Sequence, residues 1–302
     1  MCLTFARPKR LLEEAVHSFL VQDYPGDKEL LILNDFGRQV VRFDHPQVTV
    51  VNVPSRFHSL GEKRNAAVAL CRHDLLAVWD DDDIYLPHRL SFSAAMYDEA
   101  KRFFKLSQAF FINNGVVSGP TGNLFHSGGM WHRSLFDEVG GYKHMGTGED
   151  ADLEERFHKV IGEGKDYEAP KPSEIFYLYR WAGTQSYHVS GFGTHESDQV
   201  VNAKVREFAL HQIEEGIIHP GEILLQPGWM RIIQPWLANT SRCSKDPPYR
   251  PRMKGARRRI AIKRPARRFL PRYPIGHDVS RPPVTNCSRA TSPGRHFPWR
   301  AT

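Results

Sequence analysis

The stretch His73–Leu90, HDLLAVWDDDDIYLPHRL, contains four consecutive aspartates, Asp80–Asp83. The apolar run Leu75–Trp79 before them has no helical period, so it predicts a short buried strand that ends at the carboxylates. Alternate residues at a strand end point the same way, so Asp80 and Asp82 can present oxygen atoms to one divalent cation. The alternative is an exposed loop whose charges are solvated by water. A buried strand directly before the aspartates favours the metal site.

Net charge is unevenly distributed along the chain. The 302 residues carry a formal net charge of +7, but residues 241–302 hold 17 of the 41 Lys and Arg and 2 of the 34 Asp and Glu. The other 240 residues hold 24 basic and 32 acidic side chains, so we expect no nucleic-acid binding by this part. The Arg- and Pro-rich segment 241–302 lacks apolar periodicity, and we expect it to be a disordered tail. Such a tail can bind nucleic acid or an anionic membrane, or simply be solvated.

Cysteine use and hydropathy predict the cellular setting. The four cysteines are scattered and form no CxxC pair, so neither a zinc site nor a disulfide framework is indicated. Charge appears by Arg7, too early for a signal peptide, and no apolar run approaches the ~20 residues of a membrane span. We therefore expect a soluble cytoplasmic protein without a membrane span.

Strands and helices alternate along the first hundred residues, which is typical of a parallel sheet with right-handed crossovers. The patterns predict strands at Cys2–Phe5, Glu29–Leu33, Val48–Val53 and Leu75–Trp79. They predict helices that begin at Pro8, at Gly61 (Gly61–Cys71) and at Pro87 (Pro87–Lys105). The second helix is expected to bury Ala66, Ala67, Ala69 and Leu70. Ligands bind beyond the carboxyl ends of such strands. We therefore expect the polar residues near Thr4, Asp35 and Asp80 to meet in one crevice.

Beyond Lys105 the pattern changes. The expected elements are a strand at Ala109–Ile112, hairpin turns at Asn113–Asn123, a strand at Phe125–Trp131, helices at Ser134–Val139 and Glu149–Ile161, a strand at Ile175–Arg180 and a helix at Val200–Glu215. The regular alternation of strands and helices is replaced here by turn-rich sequence between short strands.

Four segments, in order, resemble the inverting glycosyltransferases of family 2, which have the GT-A fold. They are LTFARPKRLLEEAVHSFLVQDYPGDKELLILNDFG (3–37), GEKRNAAVAL (61–70), VWDDDD (78–83) and GGYKHMGTGEDADLEERF (140–157). The resemblance implies an α/β domain over residues 1–240, Rossmann-like, with a mostly parallel sheet and helices on both faces. Its nucleotide-binding half would be 1–105 and its acceptor-side half 106–240, with the tail 241–302 following.

The same resemblance implies an activity and a nucleotide pocket. The enzyme would be of hexosyltransferase type, moving a sugar from a nucleotide-diphosphate-sugar to a hydroxyl of a glycan, lipid or polysaccharide precursor. Thr4, Arg7 and Asp35 would lie in the nucleotide pocket, with Asp35 at the base edge. Lys63 and Arg64 would lie near the base or the diphosphate.

The metal and the catalytic base are implied in the same way. Asp80 and Asp82 match the two aspartates of the DxD motif, which bind the metal ion. Asp80 would also contact the nucleotide-sugar donor, and Asp82 is the preferred direct ligand of the metal ion. Oxygen ligands suit Mn²⁺ or Mg²⁺ better than Zn²⁺. Asp150 matches the position of the base that deprotonates the acceptor hydroxyl. Asp152 and Glu154 are the alternative candidates for this base.

Several of these side chains have structural alternatives. The run Glu149–Asp152 also makes a favourable acidic first turn of a helix, so Asp150 can be structural. Lys63 and Arg64 can form a solvated first turn, although cations there oppose the helix dipole and so favour an anionic ligand nearby.

Three further residues have two interpretations each. Asp35 can cap a turn into Phe36–Gly37 instead of binding a base. Trp131, with Gly128–Gly129, can stack on an acceptor sugar or belong to the core. His188 can add an imidazole ligand to Mn²⁺ or be structural.

Two other function classes remain open. A nucleotidyltransferase uses a similar sheet and metal carboxylates, but it needs no Asp150 and usually has a Gly-rich phosphate loop, which is absent between Thr4 and Leu12. Alternatively, the protein could be an inactive member of the glycosyltransferase family that binds polyanions through residues 241–302. That function predicts binding that is lost with the tail and weakened steeply by salt.

Overall fold

The computed structural model describes residues 1–113, 116–123, 125–162, 170–181 and 197–228. Strands and helices alternate in the first part, as predicted. Its elements are β1 (Cys2–Thr4), α1 (Lys9–Leu20), β2 (Leu30–Asn34), β3 (Gln39–Arg42), β4 (Val48–Asn52), α2 (Leu60–Leu70), β5 (Leu75–Ala77), β6 (Ile84–Tyr85) and α3 (Arg89–Met96).

The second part is richer in strands. Its elements are β7 (Phe103–Lys105), β8 (Gln108–Asn113), β9 (Val116–Gly122), β10 (Gly129–His132), α4 (Arg133–Glu138), α5 (Glu149–Ile161), β11 (Tyr177–Trp181), α6 (Asp198–Glu214) and β12 (Gly221–Leu224). Single 3₁₀ turns lie at His126–Gly128 and Pro172–Glu174.

The first strands form the expected parallel arrangement. β1 and β4 both pair in parallel with the central strand β2, so their carboxyl ends share one edge. The end of β5 lies beside β1, because the Met1 amino group donates to Ala77 O at 2.9 Å and Trp79 N donates to Met1 O at 2.9 Å. This pairing brings the aspartates that follow β5 to the edge where β1 and β2 end.

Antiparallel pairs enter after the aspartates. β10 is antiparallel to both β5 and β7, and β11 runs antiparallel to β6 but parallel to β8. β9 pairs antiparallel with β8, and β12 pairs in parallel with β3. The α/β fold predicted from the sequence is confirmed. Of the eight strand pairs among the described residues, four are parallel and four are antiparallel, so the pairing is mixed and not mostly parallel as expected.

Helix α1 packs on this sheet by the apolar face that its sequence predicts. Leu12, Val16 and Phe19 are each 1% exposed and belong to the main core cluster. Trp79, directly before the aspartates, donates its indole N–H to Ala15 O at 3.0 Å, and its ring meets Phe19 edge-on. The strand end that carries the acidic residues is thereby anchored to the helix.

The inward face of α2 differs from the prediction. Ala67 is buried as expected, but Ala69 is exposed and Leu70 is 47% exposed. Lys63 and Arg64 are buried instead, at 4% and 8% exposure. The apolar pattern was misleading because two cations of this helix pair with buried carboxylates, a contact that is not visible in local sequence.

Three further boundaries were predicted wrongly. The helix predicted over Pro87–Lys105 ends at Met96, and Phe103–Lys105 forms β7 because it pairs with β10. Most of the predicted hairpin segment is the strand β9, an exposed edge strand without apolar alternation. The strand predicted at Phe125–Trp131 begins only at Gly129, after the 3₁₀ turn. Among the described residues, no helix is both long and apolar enough to cross a membrane.

Candidate active site

Two adjoining pockets lie beyond the carboxyl ends of β1, β2 and β5. The larger, of about 360 Å³, is lined by Asp80–Asp83 and, from the second part of the chain, Gly146–Asp150. The smaller, of about 70 Å³, is lined by residues that include Asp35. Arg7 and Asp81 line both pockets, so the two form one crevice. The predicted convergence of three polar clusters is therefore confirmed.

One guanidinium group compensates two of the four aspartates. Arg7 Nε lies 2.8 Å from Asp81 Oδ1, and a second Arg7 nitrogen lies 2.9 Å from Asp82 Oδ2. All three side chains are at most 9% exposed. Burial raises the pKa of Asp81 to about 6, although Arg7 opposes the rise. This fork-shaped contact holds the end of β1 against the acidic turn.

The other two aspartates are held by the second part of the chain. Asp83 accepts hydrogen bonds from the Tyr177 hydroxyl at 2.6 Å and from Arg180 N at 2.7 Å, both on β11. Burial, followed by the neighbouring carboxylates, raises the pKa of Asp83 well above its usual range. Asp80 accepts a hydrogen bond from the Ser127 hydroxyl. Because three of the four aspartates are at most 5% exposed, the exposed-loop alternative is wrong for them.

The acidic turn can accept a divalent cation only in company with other ligands. Among the described residues, no group of three or more His, Cys, Asp or Glu side chains is arranged to hold a metal ion. A Mg²⁺ ion bound with a diphosphate needs only one or two protein carboxylates, because phosphate and water oxygens complete its coordination. Asp80 and Asp82 both line the larger pocket and fit that requirement. His188 lies outside the described residues.

Asp35 is fixed at the end of β2 by contacts on both carboxylate oxygens. Lys63 Nζ lies 2.6 Å from Asp35 Oδ1 and donates to Thr4 O at 2.7 Å. Phe57 N donates to Asp35 Oδ2 at 3.1 Å. Burial lowers the pKa of Lys63, and the carboxylate beside it opposes that change. The predicted nucleotide residues Thr4, Asp35 and Lys63 thus come together as one buried cluster.

The turn after β2 is capped by a different residue from the one that the alternative interpretation named. Asn34 Oδ1 accepts the hydrogen bond from Phe36 N at 3.1 Å, and Asn34 Nδ2 donates to Gln39 O at 2.8 Å. The interpretation of Asp35 as the cap is therefore wrong. Its carboxylate is directed instead to Lys63 and the smaller pocket.

The start of α2 is tied to the start of α5 by a buried ion pair. Arg64 Nε lies 2.8 Å from Glu149 Oε1, with side-chain exposures of 10% and 2%. Burial raises the pKa of Glu149, although Arg64 opposes the rise. The interpretation of the two cations of α2 as a solvated first turn is wrong. Asp150, the next residue, lines the larger pocket together with Asp80.

The two alternative candidates for the base, Asp152 and Glu154, form ion pairs outside the larger pocket. Asp152 pairs with Lys143 and with Arg156, and its pKa is lowered by these hydrogen bonds against the effect of burial. Glu154 pairs with Lys105 and His126. Neither carboxylate belongs to the lining of the larger pocket. Of the three candidates, Asp150 is the one placed in the crevice.

Sequence reasoning missed part of the site. Ser127 and His126 line the larger pocket, yet HSGG in the sequence has neither an apolar period nor a familiar ligand spacing. Trp131 is fully buried against Phe157 and His126, so the acceptor-wall interpretation of Trp131 is wrong and the core interpretation is right.

Comparison with known proteins identifies the domain that contains most of these residues. Residues 3–136 match the model of Glycosyl transferase family 2. The chain carries a glycosyltransferase domain. The match covers less than half of the chain, includes the predicted nucleotide and metal residues from Thr4 to Asp82, and ends before Asp150. The predictions of a glycosyltransferase-type domain and of a GT-A fold are confirmed.

Solved structures similar to this chain include S. aureus TarS 1–349, at 13% identity and a TM-score of 0.45. This chain spans only 59% of that one, and 59% of this chain is covered. The same protein in complex with UDP-GlcNAc has 13% identity and a TM-score of 0.46, over 70% of this chain and 72% of the other. The Pyrobaculum calidifontis mannosyltransferase PcManGT, in complex with GDP-Man and Mn²⁺, has 13% identity and a TM-score of 0.45, over 80% and 78%. No curated protein matches the chain.

Proposed function

We propose that this protein is a metal-dependent, inverting glycosyltransferase of the hexosyltransferase type. It would transfer a sugar from a nucleotide-diphosphate-sugar to an acceptor hydroxyl. The observation that carries the proposal is one pocket with two separate acidic groups, the turn Asp80–Asp83 on one side and Asp150 at the start of α5 on the other. Donor activation and acceptor deprotonation need two such groups.

Charge balance in the crevice supports a divalent cation. Among the described residues, each of the three buried cations of the crevice already faces a carboxylate. Arg7 faces Asp81 and Asp82, Lys63 faces Asp35, and Arg64 faces Glu149. A departing diphosphate carries additional negative charge that these pairs do not neutralise. We infer that Mn²⁺ or Mg²⁺, held by Asp80 and Asp82, supplies that positive charge when bound.

The donor nucleotide would lie along β1 and β2. The smaller pocket has Asp35 as its buried acceptor, fixed by Lys63 and by Phe57 N, and such a group can receive hydrogen bonds from a base edge. Arg7 lies between this pocket and the aspartates, at the place that the diphosphate would occupy. We propose 1–105 as the nucleotide-binding half, 106–240 as the acceptor-side half and 241–302 as a separate tail.

Asp150 is proposed as the general base. It lies in the first turn of α5, and its neighbour Glu149 is held by Arg64. A carboxylate opposite the leaving group can accept the acceptor proton as the hydroxyl attacks, and that geometry gives inversion. The acceptor would be a hydroxyl of a glycan, lipid or polysaccharide precursor.

The test is the release of nucleoside diphosphate from UDP- and GDP-sugars in the presence of Mn²⁺ and candidate glycan acceptors. Asp150→Asn is expected to keep donor binding and to lose at least about 100-fold in turnover. Asp152→Asn, from the same helical turn but outside the pocket, is the matched control and is expected to retain turnover. Equal turnover by the wild type and Asp150→Asn would contradict the assignment. In a parallel assay with a nucleoside triphosphate and a sugar 1-phosphate, release of pyrophosphate would indicate a nucleotidyltransferase instead.

A further inference from the structure

His126 is the centre of a hydrogen-bonded array next to the larger pocket. Its Nδ1 lies 2.7 Å from Glu154 Oε1, and its Nε2 lies 2.6 Å from the Tyr142 hydroxyl. Glu154 also forms an ion pair with Lys105, whose Nζ lies 2.5 Å from Glu154 Oε2. With both ring nitrogens bonded, the imidazole has one defined orientation.

Packing fixes the same ring from its faces and edges. The His126 side chain is 2% exposed and stacks on Trp131, with ring centroids 4.9 Å apart. Tyr142 approaches the imidazole ring edge-on at 5.7 Å. Burial alone would raise the pKa of Glu154, but hydrogen bonding to His126 and the charge of Lys105 lower it to about 2. A rigid, charged array of this kind is costly to bury unless it is fully paired.

The array is connected to the acidic turn Asp80–Asp83 through one residue, Ser127. His126 begins the 3₁₀ turn His126–Gly128, and the next residue, Ser127, donates its hydroxyl hydrogen bond to Asp80. The far end of the turn is closely packed, because a Cβ at Gly128 would lie 2.3 Å from Asn123 Nδ2. The turn is thus anchored at His126 and closely packed at Gly128, and between them the Ser127 hydroxyl is directed at the Asp80 carboxylate.

We propose that His126 is a positioning residue that acts through Ser127 to orient the Asp80 carboxylate for donor binding. The inference rests on the proposed function, since Asp80 is taken there as part of the donor and metal site. A hydroxyl donor on one carboxylate oxygen leaves the other oxygen for a cation and selects one side-chain orientation. Without His126 the 3₁₀ turn would lose its anchor to Glu154 and Tyr142.

The test is a double-mutant cycle of nucleotide affinity. Calorimetry with UDP, GDP, CDP and TDP, each with Mn²⁺, is applied to the wild type, His126→Leu, Ser127→Ala and the double variant. We expect each single variant to bind the accepted nucleotide about 10-fold more weakly. The double variant is expected to bind no more weakly than Ser127→Ala, because coupled residues are not additive.

Two further variants separate positioning from general stability. His126→Asn keeps an amide nitrogen near the place of Nδ1 and is expected to recover part of the affinity. His88→Leu removes another histidine, one that is half-buried and packs on Phe92 and Phe176, and it is expected to leave affinity unchanged. Circular dichroism and thermal melts identify any variant that does not fold.

The two proposals fail in different ways. A wild type that binds none of the four nucleotides overturns the donor site itself. Wild-type binding that is matched within twofold by His126→Leu overturns only the positioning role. A loss in His126→Leu that adds in full to that of Ser127→Ala overturns it as well, because His126 would then not act through Ser127.

Discussion

Lys63 Nζ lies 2.6 Å from Asp35 Oδ1 in the interior of the protein, with side-chain exposures of 5% and 1%. Removing one partner of a buried ion pair leaves the other charge without compensation, at a cost of about 3–5 kcal/mol. Lys63→Met is therefore expected to lower the free energy of unfolding by that amount in urea denaturation.

The double variant separates the structural from the functional role of this pair. Lys63→Met with Asp35→Asn removes both charges and is expected to recover most of the stability. Nucleotide affinity is expected to stay low in this stable double variant, because the charge of Asp35 is gone and one of its two acceptor oxygens at the base edge is replaced by an amide donor. A single variant as stable as the wild type, or a double variant with full affinity, would contradict this account.

The Glu154 carboxylate predicts a defined pH dependence of stability. Its pKa in the folded protein is about 2, below the ordinary 4.5, so the stabilisation is present above pH 4.5 and is lost as the pH falls towards 2. The contribution is about 3 kcal/mol at pH 7, of which about half remains at pH 3. The difference in unfolding free energy between the wild type and Glu154→Gln is thus expected to shrink between pH 5 and pH 3. A difference that is constant over this range would refute the depressed pKa.

Gly61 is expected to tolerate no side chain. A Cβ at this position would lie 1.8 Å from Lys143 O, and Gly61 N donates to Met145 O at 3.0 Å. Gly61→Ala must displace the backbone of this segment, which leads to α5, so we expect a loss of about 1–3 kcal/mol in stability. Gly122→Ala, where a Cβ meets nothing within 4 Å, is the matched control and is expected to change little. Equal melting temperatures of the two variants would show that the segment yields freely.

The parts of the fold that sequence predicted best are those with local causes. Helix α5 was predicted at its observed bounds, Glu149–Ile161, from its acidic first turn, which complements the helix dipole. The strands β1, β2 and β5, which end at Thr4, Asn34 and Ala77, were likewise predicted from short apolar runs. Their meeting in one crevice followed from the rule for parallel sheets.

The parts that sequence did not predict depend on partners far along the chain. Arg64 and Glu149 are 85 residues apart, and Ser127 and Asp80 are 47 apart, so no local pattern indicates either contact. The same cause explains why α2 buries Arg64 and exposes Leu70. His188 was predicted as a metal ligand and stays a prediction.

The measurement that tests the central claim most directly is calorimetric titration with UDP, GDP, CDP and TDP, each with Mn²⁺ and each with a chelator. We expect the wild type to bind one of these nucleotides only when Mn²⁺ is present. Asp82→Ala is expected to abolish that binding while the protein remains folded. Nucleotide binding of equal affinity in chelator, or in Asp82→Ala, would contradict the assignment of the acidic turn as the metal-dependent donor site.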